Sequence, residues 1–152
     1  MTSAPEPEKV PTFSHARPAY SANPDHKQTL IGMIVATKTA SPVVTDESME
    51  TPSKPRESGD IRGHQEGGRT ICIHSFGILP VYQGRGLGRV LLKSYQQRME
   101  SSGIADRIAL LSHDELVNMY TNMGFSKKGT SDSKFGGGGW TDLVGPSSLC
   151  PA

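Results

Sequence analysis

One stretch of the sequence, residues 71–95, constrains the fold more than any other. It begins with an apolar run of strand length, which Pro80 closes. Three glycines follow at alternate positions, Gly84, Gly86 and Gly88. Apolar residues then recur at spacings of three and four, namely Leu87, Val90, Leu91, Tyr95 and Met99. The stretch therefore predicts a buried strand, a glycine-rich turn and an amphipathic helix in direct succession.

A glycine-rich turn between a strand and a helix leaves backbone N–H groups without partners. Together with the positive end of the helix dipole, these groups form a site for phosphate. The pattern at residues 83–88 is Gln-x-x-Gly-x-Gly. It has neither the G-x-G-x-x-G spacing of dinucleotide-binding folds nor the Gly-Lys-Ser/Thr ending of a P-loop. An ordinary helix start with flexible glycines is the alternative interpretation of this loop alone.

The residues on either side complete an α/β pattern. Residues 29–39 are β-branched and apolar and predict a first strand, and residues 105–111 predict another. Ser112 and Glu115 have the spacing of a capping box for a short helix. Two terminal strands are expected at residues 125–128 and 140–144, separated by a run of four glycines that cannot form a strand interior. This order predicts an α/β fold with a mixed sheet.

Two motifs resemble those of a known family. The Gln-x-x-Gly-x-Gly pattern, after a strand ending in Leu-Pro, resembles the acetyl-CoA loop of the GCN5-related N-acetyltransferase (GNAT) superfamily. The Tyr-x-x-Met-Gly-Phe sequence at residues 120–125 resembles that family's Tyr-x-x-x-Gly-Phe. With His74 ahead of the loop, the likeness narrows to the arylalkylamine (serotonin-type) branch, in particular its fungal members and the related polyamine acetyltransferases. It implies a GNAT fold, a mixed and mostly antiparallel sheet flanked by helices.

The resemblance also implies the domain organisation. We expect a GNAT domain at residues 29–144 with a flexible insert at 40–68, a poorly ordered segment at 1–28 and a tail at 145–152. The family normally has a further strand and two helices before the strand at residues 29–39. The 28 residues available are too few and too polar to form them. We therefore expect an N-terminally shortened domain that lacks these three elements.

Acetyl-CoA is the co-substrate that the resemblance implies. Phe76, Gly77 and Ile78 would hydrogen-bond the pantetheine arm as though it were an added strand. The loop would bind the pyrophosphate through its backbone N–H groups, with Arg85 or Arg89 adding charge. The residues assigned to the cofactor are Phe76, Gly77, Ile78, Gln83, Gly84, Arg85, Gly86, Leu87, Gly88 and Arg89.

Tyr120 is the candidate general acid by the same resemblance. A tyrosine titrates near 10 and a thiol near 8.5, so full proton transfer to a thiolate is uphill by about 2 kcal/mol. Either the pocket lowers the pKa of Tyr120, or Tyr120 mainly donates a hydrogen bond as charge develops. An ordinary half-buried helix tyrosine is the structural alternative.

His74 is the candidate base, because an imidazole pKa near 6.5 suits the relay of a proton from an ammonium group. A structural strand histidine is the alternative. The animal serotonin enzymes carry a second histidine two positions earlier, where this chain has Cys72. A regular strand would point His74 and Ser75 to opposite faces, so they are not expected to act as a nucleophile pair. His113 is expected to be a structural residue at a helix cap, and no metal site is expected.

Composition narrows the class of protein further. The formal net charge is +1, which gives no sign of a nucleic-acid or membrane surface. Two cysteines do not form a disulfide framework and favour a reducing compartment. No apolar run of about 20 residues is present. We therefore expect a cytoplasmic protein with no membrane or nucleic-acid partner.

The function implied by the resemblance is acetyl-CoA-dependent N-acetylation of a small primary amine by direct attack in a ternary complex. An arylalkylamine is favoured, with a polyamine close behind. The alternative is a truncated, non-catalytic protein that binds acetyl-CoA or a partner. The sequence gives no indication of the oligomeric state.

Overall fold

The computed structural model describes residues 29–51 and 58–145. The segment 1–28, with the family elements expected to be missing there, and the tail beyond Gly145 lie outside the described residues. The strands and α-helices in chain order are β1 Gly32–Thr39, α1 Asp46–Met49, β2 Thr70–Ile78, α2 Leu87–Ser102, β3 Arg107–Ser112, α3 Asp114–Thr121, β4 Ser126–Thr130 and β5 Thr141–Gly145. Short 3₁₀ turns lie at Pro80–Tyr82 and Phe135–Gly137.

The five strands form one mixed sheet in the order β1-β2-β3-β5-β4. Strands β2 and β3 are parallel, and the other three neighbouring pairs are antiparallel. The parallel pair follows from the sequence, because β2 and β3 are joined by helix α2 and a parallel pair needs a long crossover. The prediction of an α/β fold with a mixed, mostly antiparallel sheet is confirmed.

Helices cover both faces of the sheet, and alternate strand residues supply the two cores. On one face, which we call the α2/α3 face, Leu92 of α2 and Val117 of α3 pack with strand residues that include Ile71, Ile73, Ile108, Leu110 and Leu143. On the other, the α1 face, Val44 packs with Cys72 and Ala109, and Met49 of α1 packs against that cluster. Ile108 and Ala109 are neighbours in β3 but belong to the cores of opposite faces. This is the alternation of side chains that is expected of a strand.

The capping box predicted at Ser112 is wrong. Helix α3 begins at Asp114 with His113 as its N-cap residue, and no side chain caps it. The reason is that β3 continues to Ser112, which pairs with Thr141 and is held in extended backbone. The Ser112 hydroxyl instead donates to the carbonyl of His113 at 2.8 Å. A capping box is present elsewhere, between Thr45 and Ser48 at the start of α1.

Strand β2 carries an irregularity at His74 that the alternating pattern did not predict. Val35 of β1 pairs with Ser75 and the next residue, Ala36, pairs with Ile73, so His74 is the extra residue of a β-bulge. Ile73 and Phe76 therefore both reach the α2/α3 face, although they are three positions apart. The expectation that His74 and Ser75 point to opposite faces assumed a regular strand, and that assumption does not hold at the bulge.

The described parts of the insert attach to the sheet at several points. The backbone N–H of Gln65 donates to the carbonyl of Lys38 at 2.8 Å, and that of Gly63 donates to Glu47 at 2.8 Å. Residues 52–57 in its middle are not among the described residues. The domain boundaries and the flexibility of the insert stay predictions. In the part of the chain that the structure describes, no helix is both long enough and apolar enough to cross a membrane.

Candidate active site

Strands β2 and β3 separate after only three paired positions. The pairs are Thr70 with Arg107, Ile71 with Ile108 and Cys72 with Ala109. Beyond them β2 continues to Ile78 beside β1, and β3 continues to Ser112 beside β5. The facing edges of the two strands therefore carry backbone groups without a partner strand in the described ranges. An extended ligand can bind between such edges through main-chain hydrogen bonds.

The glycine-rich loop lies at the end of β2 and leads into α2. Gly84 and Gly86 have φ angles of 74° and 76°, which favour glycine. Gly86 is the N-cap residue of α2, with no side-chain cap and no acidic residue in the first turn. The first bond within the helix runs from the Val90 N–H to the Gly86 carbonyl, so the N–H groups of Leu87 to Arg89 precede the helical hydrogen-bond pattern. These groups and the helix dipole make this end of the split suited to an anion.

Three of the loop residues assigned to the cofactor have structural contacts of their own. The Gln83 side-chain amide donates to the Ile78 carbonyl at 2.9 Å and so ties the loop to the end of β2. The Arg85 guanidinium lies 5.7 Å from the centroid of the Tyr82 ring. A Cβ on Gly88 would lie 3.4 Å from the Phe76 ring, which shows how closely the helix start approaches the strand. The assigned strand and loop residues are thus brought together at one end of β2.

His74 lies on the α1 face, half-buried, at the bulge. Its Nε2 atom is 2.8 Å from Oγ1 of Thr37 in β1. Burial lowers the pKa of His74, and a hydrogen bond with the backbone of Ser48 opposes this effect in part. The imidazole is therefore largely neutral at pH 7, which is the form that a general base requires.

Tyr120 lies on the other face of the sheet, in the core formed with α2 and α3. It is 8% exposed, and its ring contacts Phe125 edge to face with centroids 5.7 Å apart. Burial raises the pKa of Tyr120 above its usual value. Of the two alternatives drawn from the sequence, this direction favours a role for Tyr120 as hydrogen-bond donor over a lowered pKa.

His74 and Tyr120 do not contact each other in the described structure, because they lie on opposite faces of the sheet. The split between β2 and β3 is the opening between these two faces. Cys72, two residues before His74, is fully buried, with its thiol 3.4 Å from the Ser48 hydroxyl. Burial raises the pKa of the Cys72 thiol. Cys72 therefore cannot replace a second histidine as a proton acceptor.

One polar cluster, centred on Asp46, was not predicted from the sequence pattern. The Asp46 carboxylate accepts hydrogen bonds from the Ser133 hydroxyl at 2.6 Å and from the N–H groups of Lys134 and Phe135 at 2.9 and 3.0 Å. The Trp140 indole donates to the Phe135 carbonyl at 2.6 Å. Its ring also stacks on His113, with centroids 4.0 Å apart. Asp46 thus ties α1 to the turn between β4 and β5, and His113 has the structural role that was predicted.

Metal ligands are not grouped in this region. Among residues 29–51 and 58–145, no three His, Cys, Asp or Glu side chains are placed to hold a metal ion. Two polar residues of the insert, His64 and Glu66, bond to each other at 3.0 Å. The residues at the split and at the start of α2 support proton transfer and the binding of an anionic, extended ligand.

Comparison with known proteins gives consistent results. The family model of the acetyltransferase (GNAT) domain matches residues 22–142. The chain is 33% identical over 66 residues to serotonin N-acetyltransferase of Mesocricetus auratus, a match that covers 43% of this chain and 32% of that enzyme. Among solved structures, it is similar to the GphF GNAT-like decarboxylase in complex with isobutyryl-CoA, with a TM-score of 0.55, 13% identity and coverage of 78% of this chain and 73% of that chain. PH1933 from Pyrococcus horikoshii OT3 is 25% identical, with a TM-score of 0.44 and coverage of 75% and 56%.

Proposed function

The chain belongs to the acetyltransferase (GNAT) domain family, and from this premise we propose that it transfers the acetyl group of acetyl-CoA to the nitrogen of a small primary amine. The observation that carries the proposal is the split between β2 and β3, which opens beside a helix start that lacks an acidic first turn. The free strand edges of the split suit an extended pantetheine arm. The start of α2 suits a pyrophosphate.

The cofactor would lie along the free edge of β2. Phe76, Gly77 and Ile78 would bond the pantetheine arm through their backbone groups. The residues of the loop and first helical turn would bind the pyrophosphate: Gln83, Gly84, Arg85, Gly86, Leu87, Gly88 and Arg89. Among these, Gln83 would act by holding the loop, because its amide already bonds to Ile78.

His74 would be the base in a direct transfer. The amine nitrogen attacks the thioester carbonyl, an N–C bond forms, and the C–S bond breaks to release the thiolate of coenzyme A. The neutral imidazole takes up the proton that the amine loses, directly or through one water. Thr37 would orient the ring through its 2.8 Å contact with Nε2.

Tyr120 would donate a hydrogen bond to the leaving sulfur. Its raised pKa keeps the phenol protonated at neutral pH, so stabilising the developing thiolate is favoured over complete proton transfer. Because Tyr120 and His74 are on opposite faces, the thioester would have to lie in the split between them.

The finer substrate class is part of the same proposal. The match to serotonin N-acetyltransferase supports an arylalkylamine, although it covers only about a third of that enzyme. A polyamine is the close alternative. We also propose that the protein acts in the cytoplasm.

A thiol-release assay tests the proposed function. Acetyl-CoA would be offered with tryptamine, serotonin, phenylethylamine, spermidine and putrescine, and acetyl-CoA binding would be measured by calorimetry on the same sample. We expect turnover with at least one amine. Binding without turnover on any amine would contradict the enzymatic proposal and favour the non-catalytic alternative.

A further inference from the structure

Asp142 in β5 carries a buried oxygen that accepts no hydrogen bond. Its Oδ1 atom has almost no solvent-accessible surface and no hydrogen-bond partner among the described residues. Among the described residues, ion pairs join Arg62 to Asp60, His64 to Glu66 and Arg69 to Asp106, and none of them includes Asp142. Leaving a buried acceptor unsatisfied costs free energy, and more so when the group is charged. A bound ligand that donates to this oxygen would remove that cost.

The neighbours of Asp142 in β5 establish which face of the sheet it occupies. The Thr141 hydroxyl bonds to Asp114 of α3 at 3.0 Å, and Leu143 belongs to the core of the α2/α3 face. Because successive strand residues alternate, Asp142 and Val144 are on the α1 face. Val144 does pack against the α1-face cluster. Asp142 therefore shares a face with His74.

The strand register also aligns Asp142 with His74 across the sheet. Cys72, Ala109 and Val144 form one row across β2, β3 and β5. Two residues further towards the split, Leu111 pairs with Asp142, and His74 is at the corresponding position in β2. Two strand spacings separate His74 from Asp142, or about 10 Å, and more where β2 diverges.

We propose that Asp142 binds a second ammonium group of the amine substrate, and that this contact favours the polyamine alternative, as a diamine or a longer polyamine, over the arylalkylamine named above. This inference rests on the acetyl transfer proposed above. The reacting nitrogen lies beside His74 in the split, and the second nitrogen reaches Asp142. Hydrogen bonds of about 3 Å at each end leave a gap that a short alkyl chain spans. Leu111, between the two positions, supplies an apolar surface for its methylene groups.

The first test compares putrescine with butylamine, which has the same carbon chain and one ammonium group fewer. We expect the wild-type protein to prefer putrescine by about tenfold or more in kcat/KM, since a charge-assisted hydrogen bond is lost with butylamine. The substitution Asp142→Asn keeps the shape and removes the charge. It is expected to lower kcat/KM for putrescine by about 10- to 100-fold and to leave butylamine within about twofold.

Asp132→Asn is the matched control, because Asp132 is an exposed carboxylate in the connection between β4 and β5, outside the strand that carries Asp142. Asp132→Asn should leave kcat/KM unchanged for both putrescine and butylamine. In the absence of amine, Asp142→Asn should melt at the same temperature as the wild type or higher, and putrescine should raise the melting temperature of the wild type alone. If the variant fails to fold, equal wild-type rates for putrescine and butylamine still overturn the proposal.

The outcomes separate this inference from the function on which it rests. Equal wild-type rates for putrescine and butylamine overturn the role of Asp142 and leave the acetyltransferase intact. An equal loss of kcat/KM on both amines in Asp142→Asn also overturns it. Acetylation of none of the amines overturns the proposed function and this inference together.

Discussion

The Oγ1 atom of Thr37 lies 2.8 Å from Nε2 of His74, so the middle of β1 contacts the imidazole at the bulge of β2. The Thr37 hydroxyl is also 3.5 Å from the Ser48 carbonyl at the end of α1. Three separate segments therefore determine the orientation of one ring. An imidazole held in this way needs little reorganisation when it accepts a proton.

The ionisation of His74 should be visible in the pH dependence of kcat at saturating amine. Burial lowers the pKa of His74, and only the neutral ring can act as a base. Activity should therefore fall on the acidic side with a midpoint below about 6.5, the usual value. His74→Gln should remove this acidic limb and lower kcat by about 10²- to 10⁴-fold. His113→Gln, at an exposed histidine stacked on Trp140, should retain the limb.

The contact between Thr37 and His74 should affect the reaction rate by orienting the imidazole and not by changing its charge. Thr37→Val keeps the shape and removes the hydroxyl, so kcat should fall by about tenfold while the dissociation constant of acetyl-CoA stays unchanged. Thr37→Ser restores the hydroxyl and should recover most of the activity. Steady-state kinetics and calorimetry on the pair of variants check this. Equal activity in the valine and serine variants would contradict the proposed role.

Tyr120→Phe removes the phenol hydroxyl and retains the ring that packs on Phe125. We expect kcat to fall by about 10- to 100-fold and acetyl-CoA affinity to be unchanged. Tyr95→Phe is the matched control, because Tyr95 is a partly buried tyrosine packed against the same core, burial raises its pKa to about 12, and no role in the reaction is proposed for it. A loss of activity in both variants, or in neither, would count against a chemical role for Tyr120.

The loop can be tested with two glycines that bound the same helix. Gly86 precedes α2 with φ 76°, and Gly103 follows it with φ 65°; no atom lies within 4 Å of a Cβ added at either position. Alanine at each should cost about 1 kcal/mol of stability from backbone strain alone. Only Gly86→Ala should also weaken acetyl-CoA binding, by about tenfold, because its backbone forms the proposed anion site. Chemical denaturation and calorimetry measure the two effects separately.

The attachment of Asp46 to the β4–β5 turn should depend on its charge. The Ser133 hydroxyl, followed by the N–H groups of Phe135 and Lys134, lowers the pKa of Asp46, although partial desolvation opposes them. A lowered carboxyl pKa stabilises the fold above the usual value of 3.8, and that contribution disappears as the pH falls through the folded value. Asp46→Ala should reduce the melting temperature at pH 7 and speed amide exchange at Lys134 and Phe135. At pH 3 and below, the difference from wild type should shrink.

Local sequence patterns predicted the parts of the site that depend on neighbours in the chain. The strand, the glycine loop and helix α2 are contiguous, and the left-handed backbone at Gly84 and Gly86 is what glycine permits. The side chain of Tyr120 also lies in a core, as the half-buried helix position indicated. All these features are determined by the periodicity of apolar residues and by the steric preferences of single residues, which are both local properties of the sequence.

Features that depend on distant pairing were not predictable in the same way. The bulge at His74 arises from the register with β1, 37 residues away at Thr37. Asp46 meets Ser133 across 87 residues, and no periodicity relates them. The N-cap residue of α3 is His113 and not the predicted Ser112, because β5 pairs with the end of β3. In each case a tertiary contact determines the conformation of a residue whose local sequence indicated something else.

Within the described part of the sheet, the β1–β2 hairpin is joined to the other three strands by three residue pairs between β2 and β3. The two parts should therefore behave as partly separate cooperative units, with backbone amides near the split exchanging faster than those of the antiparallel pairs. A ligand bound along both free edges would add the missing ladder between them. Its binding free energy would then appear as folding free energy, and the melting temperature would rise with ligand concentration. For this protein, the concentration of the ligand would determine how much of the chain is folded as a single unit.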